Sequence, residues 1–160
     1  MIIGRGDIAS VLPDRDDLLF FASGVSNSSE MREEEYEREI KLLKEKNTDK
    51  HIVYFSSLSI FYLESRYTKH KMQMEALIKN RFPIYTIIRL GNITWGKNPH
   101  TLINYLKNNP KAEIRDVYRY VVDKDEFLHW INLIPSFSCE MNITGRRMKV
   151  EEIKEKYANA

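Results

Sequence analysis

Three residues carry side chains that together can move a proton: Ser57, Tyr67 and Lys71. Tyr67 and Lys71 lie four positions apart, so on a helix they share one face. A free phenol, with a pKa of about 10, is a poor base at neutral pH. A neighbouring ammonium stabilises the phenolate and brings the phenol toward the range where it exchanges a proton with a substrate hydroxyl. Ser57 ends the apolar run HIVYFSS, His51 to Ser57, where its hydroxyl could bond the same substrate oxygen. In open α/β sheets ligands sit beyond the carboxyl ends of the strands, which is where this serine would stand. A tyrosine and a lysine at this spacing also occur as a part-buried aromatic beside a surface ammonium. The pair alone decides nothing.

A second stretch with chemical meaning is GRGDIA, Gly4 to Ala9, directly after the short apolar Met1-Ile-Ile. Glycines between a strand and a helix allow a tight turn and let the backbone approach a pyrophosphate, which a helix N-terminus can hold. The helix predicted here spans only Asp7 to Leu12, because Pro13 and the charged run Asp14 to Asp17 end it. Glycine turns of this kind also occur in α/β proteins that bind no nucleotide. A full dinucleotide unit wants an acidic residue at the end of a second strand roughly 20 residues on. The next strand, LLFFAS (Leu18 to Ser23), has none. The pyrophosphate half of a site is expected, and the adenosine half is depleted.

The elements that must position these residues follow from periodicity and punctuation. Tyr36, Ile40 and Leu43 recur at helical spacing within a helix predicted over Glu30 to Lys46, with acids early and lysines late as the helix dipole favours. His51 to Ser57 is a strand, Ser65 caps a helix over Arg66 to Asn80, and Ile84 to Leu90 after Pro83 is another buried strand. Gly91 to Gly96 reads as a loop and His100 to Lys107 as a helix. A strand over Ile114 to Val122 precedes a helix over Asp123 to Ile134 capped by Asp123, then a strand over Glu140 to Ile143 and a helix over Lys149 to Tyr157. Strands alternating with helices specify an α/β architecture with a mostly parallel sheet.

Length and composition bound the rest. A chain of 160 residues, 42% hydrophobic and 30% charged, suits one globular domain, residues 1–160. The net charge of +2 comes from interspersed acids and bases, so no nucleic-acid footprint is expected. No apolar run reaches the roughly 20 residues of a membrane span, and the N-terminus lacks a signal-peptide pattern. With the single cysteine Cys139, this makes a cytoplasmic location the expectation. His51, His70, His100 and His129 are scattered without metal-ligand spacing, so no metal site is expected.

Read together, these segments resemble the extended short-chain dehydrogenase/reductase superfamily, in its NAD-dependent nucleotide-sugar epimerase/dehydratase group. HIVYFSSLSIF resembles that group's strand ending in a catalytic serine, and YTKHK its Tyr-x-x-x-Lys. RLGNITWG resembles its Arg-x-x-Asn-x-x-Gly stretch, DVYRYVVDKDEF its later strand–Asp–helix passage, and MNITGRRMKVEEI its closing turn and helix. The resemblance implies a Rossmann-like, mostly parallel sheet flanked by helices. It implies that Tyr67 shuttles a proton, that Lys71 binds the nicotinamide ribose and tunes the phenol, and that Ser57 positions the substrate oxygen. Contacts to NAD or NADP would fall on Gly4, Gly6, Asp7, Ile8, Ala22, Ser23 and Lys71. Substrate contacts would fall on Asn92 and Arg119, with pairing to a carboxylate an equal alternative for an arginine in a strand. The implied substrate is a nucleotide sugar, the setting polysaccharide biosynthesis, and the implied partner a second copy of the chain. That homodimer would form through helices 30–46 and 66–80, where Met72, Met74, Leu77 and Ile78 could serve either core or interface.

The chain departs from this pattern in one block. Between the glycine turn and LLFFAS the family places further strands and helices that form a sheet edge and most of the adenosine pocket; this chain has only a few residues there. The loop from Ser57 to Tyr67 and the substrate-capping portion are also short. Two functions are therefore expected in competition: a minimal NAD(P)-dependent epimerase, dehydratase or reductase, and a non-catalytic descendant that binds a nucleotide or sugar or serves as a subunit.

Overall fold

The computed structural model describes residues 1–159. Its main sheet has five parallel strands: Ile2–Ile3 (β1), Leu18–Phe21 (β2), His51–Ser57 (β3), Tyr85–Leu90 (β4) and Cys139–Ile143 (β7), in the order β1-β2-β3-β4-β7. The three inner strands read as unbroken apolar runs because both faces are covered, as parallel sheets require. Successive side chains supply opposite faces. Phe20, Val53, Phe55 and Ile88 enter one core, and Phe21, Ile52 and Tyr54 enter the other.

The second of these cores is closed by two helices, Glu33–Lys44 (α1) and Arg66–Arg81 (α2), which bring Leu43, Met74 and Ile78 to the sheet. The first is closed by Lys124–Asn132 (α4) through Phe127 and Ile131. Between β4 and α4 the chain makes Asn92–Ile93 (β5), Leu102–Asn108 (α3) and Tyr118–Val122 (β6). β6 pairs parallel with β5 and antiparallel with Arg146–Lys149 (β8), giving a three-stranded second sheet. Val150–Ile153 (α5), continued by a π-helical turn over Lys154–Ala158, packs with α3 over Ile103, Leu106 and Val121.

Several expectations are corrected. The helix predicted after the glycine turn is a single 3-10 turn, Ala9–Val11, since Leu12 is already extended ahead of Pro13. α1 starts at Glu33 rather than Glu30 because Glu30 is tied down outside the helix: its carboxylate accepts from the Arg32 amide, and its carbonyl accepts from the buried Tyr36 hydroxyl. Asp123 stands at the N-cap of α4 without capping it, its carboxylate pairing instead with Arg146 at 3.2 Å. The predicted last helix is preceded by the edge strand β8, and the loop after Gly91 contains β5. Of the residues with two possible roles, Met74 and Ile78 are core and Leu77 packs against it, whereas Met72 is exposed.

Ser65 caps α2 as expected. Its hydroxyl accepts from the Thr68 amide and the Thr68 hydroxyl accepts from the Ser65 amide, a reciprocal capping box. Ser65→Ala is expected to lower stability by about 1 kcal/mol, read as a lower urea midpoint with an unchanged slope.

Candidate functional site

A cleft of about 910 Å³ opens at the carboxyl ends of the strands. Ser57, Tyr67 and Lys71 all line it, and so do Gly6, Asp7, Ile8, Ala22 and Ser23 from the loops after β1 and β2. Asn92 and Arg119 line its other wall. Gly4 does not reach the cleft. It takes φ of 122° and packs so closely on the Ala22 carbonyl that a side chain has no room, which fixes the path of the turn. Gly6 is the glycine facing free space, with nothing within 4 Å of where a Cβ would stand.

Several of these groups are already engaged by the protein itself. The Asp7 carboxylate accepts from the amides of Lys97 and Asn98, both at 2.9 Å, and the Asp7 carbonyl accepts from Trp95 Nε1. Asp7 therefore clamps the loop after β5 against the glycine turn. Ser57 Oγ lies 2.6 Å from Ser59 Oγ and accepts from the Ser59 amide, capping the 3-10 turn Leu58–Phe61. Asn92 Nδ2 donates to the Tyr120 carbonyl, holding β5 to β6. Arg119 donates to the Tyr118 carbonyl and lays its guanidinium over the Tyr62 ring, 5.1 Å from the centroid. Among the described residues no acid pairs with it, contrary to the carboxylate alternative.

Tyr67 sits half-buried in the first turn of α2, and Lys71 one turn later is buried. The Lys71 Nζ lies 5.5 Å from the Tyr67 ring centroid, so the helical spacing does place ammonium and phenol together. Nζ donates to the Tyr54 hydroxyl at 3.2 Å and lies 3.8 Å from Glu39 Oε1. Glu39, fully buried on α1, also accepts from Tyr54 Oη at 2.6 Å, from the Val25 amide at 2.7 Å and from His70 Nε2 at 3.0 Å. Glu39, Tyr54 and His70 are functional neighbours that sequence reasoning missed. A signal was present: Glu39 falls three after Tyr36 and four before Leu43, on the apolar stripe of its own helix. A lone acid there calls for a buried cation.

A second polar set stiffens the sheet beside the cleft. Arg89 on β4 binds Glu75 on α2 and Glu140 on β7, and Glu75 accepts from Ser56 Oγ at 2.6 Å. The arginine of the RLGNITWG stretch is thus a cross-element tie.

No family model and no curated protein sequence matches the chain. Solved structures do. The chain is similar to the Bordetella bronchiseptica enzyme WbmG in complex with NAD and UDP, with a TM-score of 0.63 and 15% identity, over 87% of this chain and 55% of that one. It is similar to a UDP-galactose 4-epimerase, TM-score 0.59 and 14% identity, over 88% of this chain and 61% of that one. It is also similar to dTDP-4-dehydrorhamnose reductase from Bacillus anthracis in complex with NADP, TM-score 0.62 and 13% identity, over 87% and 61%. The chain spans between 55% and 61% of the length of these structures. The fold expected from the resemblance is the fold found: a mostly parallel, Rossmann-like sheet in shortened form.

The charge arrangement has a consequence for stability. Burial alone would raise the Glu39 carboxyl, but Lys71, then the hydrogen bonds from His70, Tyr54 and Val25, outweigh it and bring its pKa from 4.5 down to about 2. Burial pushes the Tyr54 phenol well up, and the Glu39 charge adds to that. A carboxyl depressed in the folded state stabilises above its unfolded pKa and loses that contribution as pH falls through the folded value. The window is therefore about pH 4.5 to 2. Glu39→Gln is expected to cost on the order of 3 kcal/mol near neutral pH, and its melting temperature should fall less steeply than that of the parent below about pH 4.5. Calorimetric melts at stepped pH check both.

Proposed function

We propose that the chain is a minimal NAD(P)-dependent oxidoreductase, of epimerase, dehydratase or reductase type, acting on the sugar of a nucleotide sugar. The observation that carries the reading is the convergence of Ser57, Tyr67 and Lys71 in one cleft with the glycine turn, at the carboxyl ends of parallel strands. The relatives in fold solved with NAD, NADP and UDP support the same class. Residues present suit the nicotinamide half of the cofactor: Gly6 leaves its side of the cleft open, Ala22 and Ser23 wall the end of β2, and Lys71 lies below Gly24. The adenosine half has less support, because β1 is the sheet edge and only one 3-10 turn follows it.

The cofactor, when bound, supplies the acceptor or donor of hydride. Everything else falls to the protein. Tyr67 exchanges a proton with the sugar hydroxyl, with the Lys71 ammonium 5.5 Å from its ring centroid. Ser57 continues to accept from the Ser59 amide and turns its own proton to the same sugar oxygen. Asn92 and Arg119 hold the substrate from the opposite wall, where the Arg119 guanidinium suits a diphosphate. The partner in this reading is a second copy of the chain docked through α1 and α2, with Met72 as an apolar residue left exposed on α2.

A second reading is favoured by the open edge at β1: a non-catalytic protein or subunit that binds the nucleotide sugar and has lost productive cofactor binding. Calorimetric titration with NAD, NADP and nucleotide sugars separates the two. Binding of a nucleotide sugar with no dinucleotide binding at millimolar concentration would leave the second reading standing. If the first is right, Tyr67→Phe lowers turnover by about 10²- to 10⁴-fold with the fold intact; turnover equal to the parent rejects it. Size-exclusion chromatography at micromolar concentration is expected to give a dimer, and a monomer would remove that part of the reading.

A further inference from the structure

Lys71 is held by more than its place on a helix. The donors around Glu39 form an ordered set: Lys71 Nζ donates to the Tyr54 oxygen and Tyr54 donates to Glu39 Oε2, while Val25 N and His70 Nε2 both donate to Oε1. One carboxylate thereby joins α1, α2, β3 and the loop after β2. The loop lies directly on the pair. A Cβ at Gly24 would stand 2.8 Å from Lys71 Nζ and 3.1 Å from Glu39 Oε2, so a side chain there would push the ammonium or the carboxylate aside.

From this geometry we infer that Glu39 is the positioning residue of the site, fixing both the Lys71 ammonium beside Tyr67 and the Ser23–Val25 loop that walls the cleft. The catalytic consequence rests on the oxidoreductase reading; the positional one does not. A lysine stem has four rotatable carbons, and an ammonium without a buried counter-charge moves toward water. The water available to Lys71 is that of the cleft. A glutamine at 39 keeps an acceptor for the Val25 amide and removes the charge. Lys71 then loses its counter-ion, and its orientation toward Tyr67 is no longer specified.

The test uses the full chain as parent, Glu39→Gln, Glu39→Asp and Tyr67→Phe. Lysines are labelled by reductive methylation and read by mass spectrometry, with the exposed Lys69 of the same helix as internal reference. Lys71 is expected to label about tenfold faster in Glu39→Gln than in the parent, with Lys69 unchanged, and the Val25 amide to exchange faster with deuterium in Glu39→Asp, whose shorter side chain draws the acceptor away from the loop. In turnover, kcat is expected to fall about tenfold or more while KM for the nucleotide sugar stays within about twofold, and Glu39→Asp to recover part of kcat. Labelling of Lys71 at the parent's rate in folded Glu39→Gln overturns the inference. If Glu39→Gln does not fold, Glu39→Asp carries the comparison, and parental labelling and kcat in that variant overturn it equally. Full activity in Tyr67→Phe sinks the oxidoreductase reading alone, and the labelling still decides the role of Glu39.

Discussion

The buried Glu39 carboxylate is the constraint around which the site half of the molecule is arranged. Removing a charge from water costs several kcal/mol, and the interior repays this only when the counter-charge and hydrogen bonds are all in place. Glu39 meets that condition with partners from three elements, the loop after β2, β3 and α2. None of them can shift independently. α1 cannot slide along the sheet without breaking the Val25 bond, and α2 cannot rotate without withdrawing Lys71 or His70. A polar set of this kind stabilises less than an apolar core of equal volume would. What it gains is definition, because it admits one register of helix against loop.

Apolar packing alone would leave more freedom. The core beneath α1 and α2 is built from Leu43, Ile52, Met74, Ile78 and Phe82, whose contacts are non-directional. Tyr54 bridges the two regimes, with its ring near Phe21 and its hydroxyl in the Glu39 set. The opposite core is mainly apolar, with Phe20, Phe55 and Phe127 at its centre and the buried Thr86 bonded to His51 at one end. Directional bonding is thus concentrated on the face that presents Tyr67 and Lys71 to the cleft.

Much of the frame was legible in the residues. The apolar runs gave the inner parallel strands within a residue or two, and Ser65 marked the start of α2. Tyr67 and Lys71 were readable as a pair because a helical spacing is a distance. The less legible parts depended on contacts distant in sequence. β8 pairs with β6 through partners such as Tyr118 and Lys149, and its own RRMK has little strand character. Asp123 looked like a cap but is claimed by Arg146, and Asp7 looked free for a ligand but is claimed by the amides after Gly96. In each case a local preference lost to a partner supplied by the fold.

The short sheet and the convergence of Ser57, Tyr67 and Lys71 are compatible for a physical reason. In a parallel sheet the chemistry at the strand ends depends on the strands that carry it and on the helices covering them. Ser57 stands on β3, flanked by β2 and β4, and Tyr67 and Lys71 lie on the helix packed against β3. Strands beyond β1 would be separated from β3 by both β1 and β2, and would touch none of these side chains. β1 itself pairs over only Ile2 and Ile3, and Gly4 then turns tightly against Ala22. A sheet that ends at β1 therefore leaves the placement of Ser57, Tyr67 and Lys71 unchanged, while the surface beyond β1 is narrow.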